Sequence, residues 1–232
     1  MKRIEKLGSL PDADMAFFDL DETITDADTD ALWSGWRSKR EVRGWVERAW
    51  LLKLYHDFRN ERMDIEEYMR FQRFRIGALS VDEFRAAGRA FFNDAGRFHI
   101  YREARDLIGD LKNAGCRVVL LTAQTDCIAG PFAEHLGMDD AIANRFEHDG
   151  FRFAGPARPY CFGEGKAVLG RKFAEGAGVP LARCAFFGDS VYDAPFLEMV
   201  GFPFAANPDS MLEALARRKN WKIVRFEGTI DR

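Results

Sequence analysis

Three short apolar runs, each ending in a polar side chain, constrain this chain more than any other feature. The first is Met15 to Phe18, followed by Asp19-Leu20-Asp21-Glu22-Thr23. A short continuous apolar run of this kind reads as a buried strand. Side chains at i and i+2 on a strand share one face, so Asp19 and Asp21 are expected side by side at its carboxyl edge, where open α/β sheets bind ligands. Taken alone, Asp-x-Asp serves equally well as a solvated turn or a helix cap. The second run, Val118 to Leu121, ends in Thr122, and the third, Phe186-Phe187-Gly188, ends in Asp189 with Asp193 four residues on. Between them Lys166 follows Gly163 and Gly165 at the head of an expected helix.

The rest of the chain supplies the frame for these runs. A helix near Arg102 to Asn113 ended by Gly115, the Val118 strand and a helix near Cys127 to Leu136 ended by Gly137 give the rhythm of a parallel sheet with crossover helices. Arg145 to Pro156, centred on His148-Asp149-Gly150, reads as a β-hairpin. A helix from Lys166 to Glu175, a strand from Cys184, a helix ending near Gly201, a short strand at Phe202 to Ala205 and a final strand at Lys222 to Phe226 follow. Residues 25–96 differ: strand signals vanish, and four of the five tryptophans (Trp33, Trp36, Trp45, Trp50) fall there. Ser80-Val81-Asp82-Glu83 has the form of a capping box opening a helix through Phe84, Ala87 and Phe91. The expectation is an α/β protein: a three-layer Rossmann-like core with a parallel sheet, from residues 1–24 and 97–232, and a helical cap domain at 25–96 inserted after the first strand.

Composition removes several function classes. The apolar runs are far shorter than the roughly 20 residues a membrane helix requires. Met1 to Lys6 is basic, but no apolar stretch of signal-peptide length follows, so a cytoplasmic location is expected. The net charge of −3 offers no global basic field for nucleic acid. Four cysteines (Cys116, Cys127, Cys161, Cys184) show no Cys-x-x-Cys spacing and read as reduced and packed. Between Arg37 and Arg75, eleven Lys or Arg face seven Asp or Glu, a local excess of +4 that would favour an anionic ligand.

In order, the chain offers Asp-x-Asp-x-Thr, a Thr after a strand, a Lys, and Gly-Asp-x-x-x-Asp. That set resembles the four motifs of the haloacid dehalogenase superfamily of hydrolases, over nearly the whole chain. Tyr160-Cys161-Phe162-Gly163-Glu164-Gly165-Lys166, the Gly188-Asp189-Ser190 motif and the later Asn207-Pro208 are similar to the phosphoserine-phosphatase-like subfamily, subfamily IB, whose members insert a C1-type helical cap after the first motif. The resemblance implies a phosphatase acting on a small phosphorylated metabolite. In it Asp19 attacks phosphorus to form an aspartyl-phosphate, and Asp21 protonates the leaving alkoxide and later activates water. Mg²⁺ favours oxygen ligands, and Asp19, the backbone carbonyl of Asp21, and Asp189 are the implied set. Thr122, the backbone at Ala123, and Lys166 are implied to bind the phosphoryl oxygens. Asp193 either orients Lys166 or a metal-bound water, or is a favourable charge at a helix N-terminus.

The cap is expected to select the substrate. Asp28 stands where phosphoserine phosphatases carry an acid for the serine ammonium; Asp26, Asp28 and Asp30 serve equally as N-capping charges for the first cap helix. Arg59, Arg70, Arg73 and Arg75 are the candidates to meet a substrate carboxylate. The tryptophans read as cap core before substrate wall. Thr122-Ala123-Gln124-Thr125 departs from the subfamily's Ser-Gly-Gly stretch, which puts phosphoserine specificity in question. Alternatives are another phosphorylated metabolite or lipid head group, or a binding protein on a catalytically silent scaffold. A dehalogenase or phosphonatase lacks the second Asp of the pair, present here as Asp21, and a receiver-type signalling domain needs no cap and half this length. Oligomeric state is open between monomer and homodimer.

Overall fold

In a computed structural model, the described residues are 12–77 and 79–229. The basic start of the chain, and with it part of the expected core segment 1–24, lies outside them. Six parallel strands form one sheet in the order β3-β2-β1-β6-β7-β8: β1 Met15–Phe18, β2 Arg117–Thr125, β3 Asp140–Asn144, β6 Cys184–Gly188, β7 Phe202–Ala206 and β8 Lys222–Val224. Between β3 and β6, β4 (Phe146–His148) and β5 (Phe153–Pro156) form the antiparallel hairpin expected around His148-Asp149-Gly150.

β1 is central because it is apolar on both faces, as a strand covered by helices on both sides must be. Phe17 pairs with Val119 and Phe186, and Phe18 with Leu120 and Phe187. Alternate residues divide between two cores. Ala16, Phe18, Leu120 and Phe187 face one layer, which includes Ile108 and Phe132; Phe17, Val119 and Phe186 face the other, which includes Ala174, Phe196 and Leu212. The chain moves outward through β2 and β3, then returns to β6 beside β1. The strand order reverses there, which opens the ligand crevice of such sheets at the ends of β1 and β6.

The helices are α1 Thr29–Ser38, α2 Val42–Arg59, α3 Ile65–Ile76, α4 Val81–Asp94, α5 Arg102–Asn113, α6 Asp126–His135, α7 Glu164–Gly176, α8 Ala194–Leu197 and α9 Ser210–Lys219. Helices α1 to α4 all lie between β1 and α5, and the Ser80–Glu83 capping box opens α4 with both reciprocal bonds in place. Trp33 is fully buried, edge-on to Phe84 and Phe91. Trp36 and Trp50 pack against the same core, whereas Trp45 is 61% exposed and belongs to no core. The apolar layer continues without a break from the sheet through α6 to α4, where Phe91 and Phe92 meet Phe132.

Five elements differ from the expectation drawn from the sequence. That expectation passes over β3 and α9. Asp140-Ala141-Ile142-Ala143-Asn144 is a half-exposed edge strand with little apolar signal, and α9 owes its start to the Asp209 cap, which accepts from Met211 N and Leu212 N. Strand β2 does not stop at Thr122; it runs to Thr125, with its register against β3 shifting between Leu121 and Thr125. Helix α8 is a single turn, and β8 ends at Val224.

A Cβ at Gly88, inside α4, would run into the Cys127 carbonyl of α6. Alanine normally favours a helix interior over glycine by about 1 kcal/mol, but overpacking costs about 1–3 kcal/mol. Gly88→Ala is therefore expected to lower the urea midpoint of unfolding at unchanged slope. A raised midpoint would show that the α4–α6 contact is looser than described.

Candidate active site

Asp19 follows the last residue of β1 and is held there by its backbone N–H, which donates to the Phe187 carbonyl at 2.9 Å. Its own Oδ1 accepts from Leu20 N at 2.8 Å. The chain then turns sharply, with Glu22 in the left-handed region (φ 52°) and Thr23 N donating to the Asp21 carbonyl at 2.6 Å. Asn207 supports this turn through its side-chain N–H to the Glu22 carbonyl at 3.3 Å. Across the crevice Asp189 follows β6, accepting the Thr23 hydroxyl at 3.3 Å. The sheet thus brings together residues 170 positions apart in sequence.

Lys166 comes from α7. Gly163 precedes the helix with φ +52°, and a Cβ at Gly165 would strike the Tyr160 carbonyl, so both glycines permit the close turn that aims the lysine inward. Lys166 is only 3% exposed, with Nζ 2.6 Å from Asp193 Oδ1 and 3.1 Å from Asp19 Oδ2. Burial acts to lower its pKa, but Asp19 and Asp193 outweigh it and hold the ammonium well above its usual range. Asp193 and Lys166 thus form a direct, buried ion pair. Asp193 ends a 3₁₀ turn, Val191–Asp193, immediately before α8.

Oxygen atoms of Asp19, Asp189 and Asp193 lie within 4.8 Å of one another. One ammonium serves three buried carboxylates, and Asp193 Oδ2 is buried with no hydrogen-bond partner among the described residues. Burial, then the charges of Asp19 and Asp193, push the Asp189 carboxyl well above the usual range against the pull of Lys166. Burial likewise lifts Asp193 to about 6. An all-oxygen, charge-excess donor set of this kind suits a hard divalent cation such as Mg²⁺, so the residues present fit one.

Asp21 accepts Thr29 N at 2.6 Å and faces the cavity. Burial, followed by the like charges of Asp28, Asp19 and Asp30, pushes its carboxyl well above the usual range. Asp28 does two things: it caps α1, accepting Ala31 N at 2.8 Å, and it lines the cavity. Burial and then Asp30 push it up to about 7. The third acid, Asp30, is 5% exposed and accepts from Tyr68 Oη at 2.9 Å, Gln72 Nε2 at 3.2 Å, Gln124 Nε2 at 2.7 Å and Arg75 Nη1. Asp26 instead meets His99 Nδ1 at 2.6 Å.

Phosphate-binding expectations divide. Ala123 lines the cavity, and its carbonyl accepts Asn144 Nδ2 at 2.6 Å. Thr122 is fully buried behind it, its Oγ1 accepting Gln124 N at 3.1 Å. Gln124, Tyr68 and Asp30, which tie the end of β2 to the helices above it, carry no motif signal; the one hint in sequence is the departure at Thr122-Ala123-Gln124.

The cap arginines do not form a carboxylate site. Arg75 is fully buried against Asp30; Arg70 pairs with Asp64 at 3.7 Å, exposed; Arg73 is an exposed residue of α3; Arg59 binds the Tyr55 hydroxyl and pairs with Glu22 at 3.4 Å, two residues that line the cavity. None of the four lines the cavity. Part of the +4 excess is met by acids outside that segment: Arg40 pairs with Asp94, Arg59 with Glu22 and Arg75 with Asp30. The walls that sequence reading missed are apolar and aromatic: Leu51, Leu54, Tyr55 and Phe58 of α2, Met63, Tyr68, Phe162 and Tyr192. Tyr192 stacks against both Phe58 and Phe162, with centroids at 5.0 and 4.6 Å. The four cysteines are free and buried, and burial raises their thiols; Cys161 is pushed up to about 12.

A parallel sheet with acids at the ends of two adjacent strands and a buried lysine between them defines a class of α/β hydrolase. The chain belongs to the haloacid dehalogenase-like hydrolase family, whose model matches residues 16–198. It is similar to a probable phosphatase of Mycobacterium tuberculosis, 36% identical over 132 residues, covering 57% of this chain and 46% of that one. The chain thus spans about half the length of that relative. A histidinol-phosphatase of Neisseria meningitidis is 27% identical over 219 residues, covering 92% of this chain and 99% of its own. A substrate-bound phosphoserine phosphatase shares the fold at a TM-score of 0.67 and 18% identity, over 91% of this chain and 92% of that one. No helix among the described residues is long and apolar enough to cross a membrane.

The raised carboxyl of Asp28 has a consequence for stability. The unfolded reference lies near 3.9 and the folded value at about 7. The folded chain therefore binds this proton more tightly, and stability is lost as pH rises through that window. Asparagine caps a helix as well as aspartate but cannot ionise. Asp28→Asn should raise the Tm of metal-free protein at pH 8 and leave it nearly unchanged at pH 4.5; an equal shift at both pH values would contradict a raised Asp28.

Proposed function

We propose that this protein hydrolyses a small phosphate monoester through an aspartyl-phosphate on Asp19. The observation that carries this reading is the pairing of Asp19 with a fully charged, buried Lys166 at the end of β1. A phosphate dianion entering the cavity meets that ammonium, and a carboxylate oxygen of Asp19 then bonds to phosphorus as the bond to the leaving oxygen breaks. Asp21, kept protonated by burial and by its acidic neighbours, gives its proton to the departing alkoxide and later takes one from the water that opens the acyl phosphate. Lys166 neutralises charge on the phosphoryl oxygens, beside the backbone at Ala123, with Thr122 steadying that turn. Asp193 holds the lysine in place.

Asp19 and Asp189, with the carbonyl of Asp21, are the residues that would hold Mg²⁺, as expected from the sequence, with Asp193 beside them. When bound, the ion supplies neutralisation of phosphoryl charge. Residues 25–96 act as the cap, closing over the leaving group and excluding water. The similarity to enzymes named phosphatases supports the reaction type. The ester itself is not fixed by those similarities, because the relatives carry different names.

Asp19→Asn should abolish phosphate release from an aryl phosphate, and Asp21→Asn should reduce it by about 10²-fold or more. Acid-quenched wild type should carry label from a ³²P ester, and Asp19→Asn should carry none. Label that survives in Asp19→Asn would place the nucleophile elsewhere. Excess EDTA should remove turnover, and Mg²⁺ should restore it; full activity in EDTA would overturn the metal assignment.

A further inference from the structure

We propose that the outer face of α2 docks this protein onto an anionic lipid bilayer. Five of the eight large apolar side chains exposed among the described residues belong to this one helix: Val42, Trp45, Val46, Leu52 and Tyr55. Its inner side carries the buried Gly44, Glu47 and Leu54, and Leu51, Leu54 and Phe58 line the cavity. On the outer side Val42, Trp45, Ala49, Leu52 and His56 follow one another at steps of three and four residues, which places them in one row along the helix. A helix apolar on opposite sides is normally covered on both. Val42 is 80% exposed, Leu52 73% and Trp45 61%, so no described residue covers the outer row.

The charges beside the row name its occupant. By the same spacing Arg48 sits between Trp45 and Leu52 on one side, and Lys53 between Ala49 and His56 on the other. The acids of this segment are turned inward or already engaged: Glu47 is fully buried against Arg37, Glu41 is bonded to Arg37, and Asp57 is held by Lys53 at 2.9 Å. Lys39 and Arg48 are exposed and meet no acid at ion-pair distance among the described residues; Arg48 lies instead over the Trp45 ring, 5.3 Å from its centroid. A second copy would bring the same basic border to a two-fold contact and no free acid on this face to answer it. A tryptophan, a leucine and valines bordered by basic side chains match the boundary of an anionic bilayer, where the row enters the acyl region and the cations meet lipid phosphates. A convex helix face needs a groove in a protein partner and none in a bilayer.

The test is co-sedimentation of the full chain with vesicles of phosphatidylcholine alone and of equal parts phosphatidylcholine and phosphatidylglycerol. Binding to the anionic vesicles should be about tenfold tighter or more, and should weaken as salt is raised. Lys39→Gln and Arg48→Gln should each weaken it about fivefold, and Trp45→Ser combined with Leu52→Ser should abolish it. None of these four residues lines the cavity, so the Tm and turnover of a soluble aryl phosphate should be unchanged. Trp45→Phe should retain binding and remove the blue shift of tryptophan emission that anionic vesicles produce in the wild type. Equal affinity for the two vesicles, binding untouched by the Trp45 and Leu52 double variant, or no vesicle binding overturns the proposal. Retention on polyglutamate without vesicle binding would assign the face to an acidic protein, and a dimer lost in the double variant would assign it to a second copy; either result also overturns it.

Discussion

One buried ammonium organises the centre of this molecule. Lys166 reaches Asp19 at the end of β1 and Asp193 beyond β6, from a helix packed on the opposite face of the sheet to α4 and α6. Transferring one lysine and several carboxylates from water is costly, and the arrangement persists because each ion is close to an opposite charge or to backbone donors. The residual excess of negative charge is what gives the site its chemistry. It keeps the lysine charged, adds to the burial that lifts Asp21 and Asp189, and leaves an oxygen cluster matched to a hard cation.

A second buried acid fixes what lies above that centre. Asp30 joins α1, α3 and the end of β2 through Tyr68, Gln72, Arg75 and Gln124, so the helical insert is keyed to the segment that carries Thr122 and Ala123. The glutamine that breaks the subfamily's small-residue pattern has a structural reason: Gln124 Nε2 donates to Thr29 Oγ1 at 2.8 Å as well as to Asp30. The β4–β5 hairpin adds a further tie, with Val81 N donating to the Phe151 carbonyl at 3.0 Å and Phe153 edge-on to Phe84. Removing one partner from such a buried network leaves an uncompensated charge, so its members are expected to tolerate little substitution.

The same logic explains how the walls of the cavity differ from what local charge suggested. Arginines in the insert are numerous, but most meet an acid nearby or lie over an aromatic ring, as Arg37 does between Glu47 and Trp33. What remains facing the cavity beyond Asp21 is aromatic and acidic.

Sequence by itself determined the α/β architecture and the run of helices between β1 and α5, and it singled out Asp19, Asp21, Lys166, Asp189 and Asp193, which the fold gathers around one cavity, because those features are local. A strand's apolar run, a capping box and a glycine before a helix are each written in a few adjacent residues. Edge strand β3 is not legible in the sequence because a half-exposed strand carries little apolar signal, nor is the run of β2 beyond Thr122, because a register shift between paired strands leaves no mark in one of them. Tertiary structure alone decided which charges survive unpaired. Arg75 looked like a ligand for substrate and proved to be the buried partner of Asp30, while Asp28 proved to be cap and cavity wall at once. Pairing is a relation between elements far apart in the chain, so counting charges along the sequence cannot reveal which of them the fold has already neutralised.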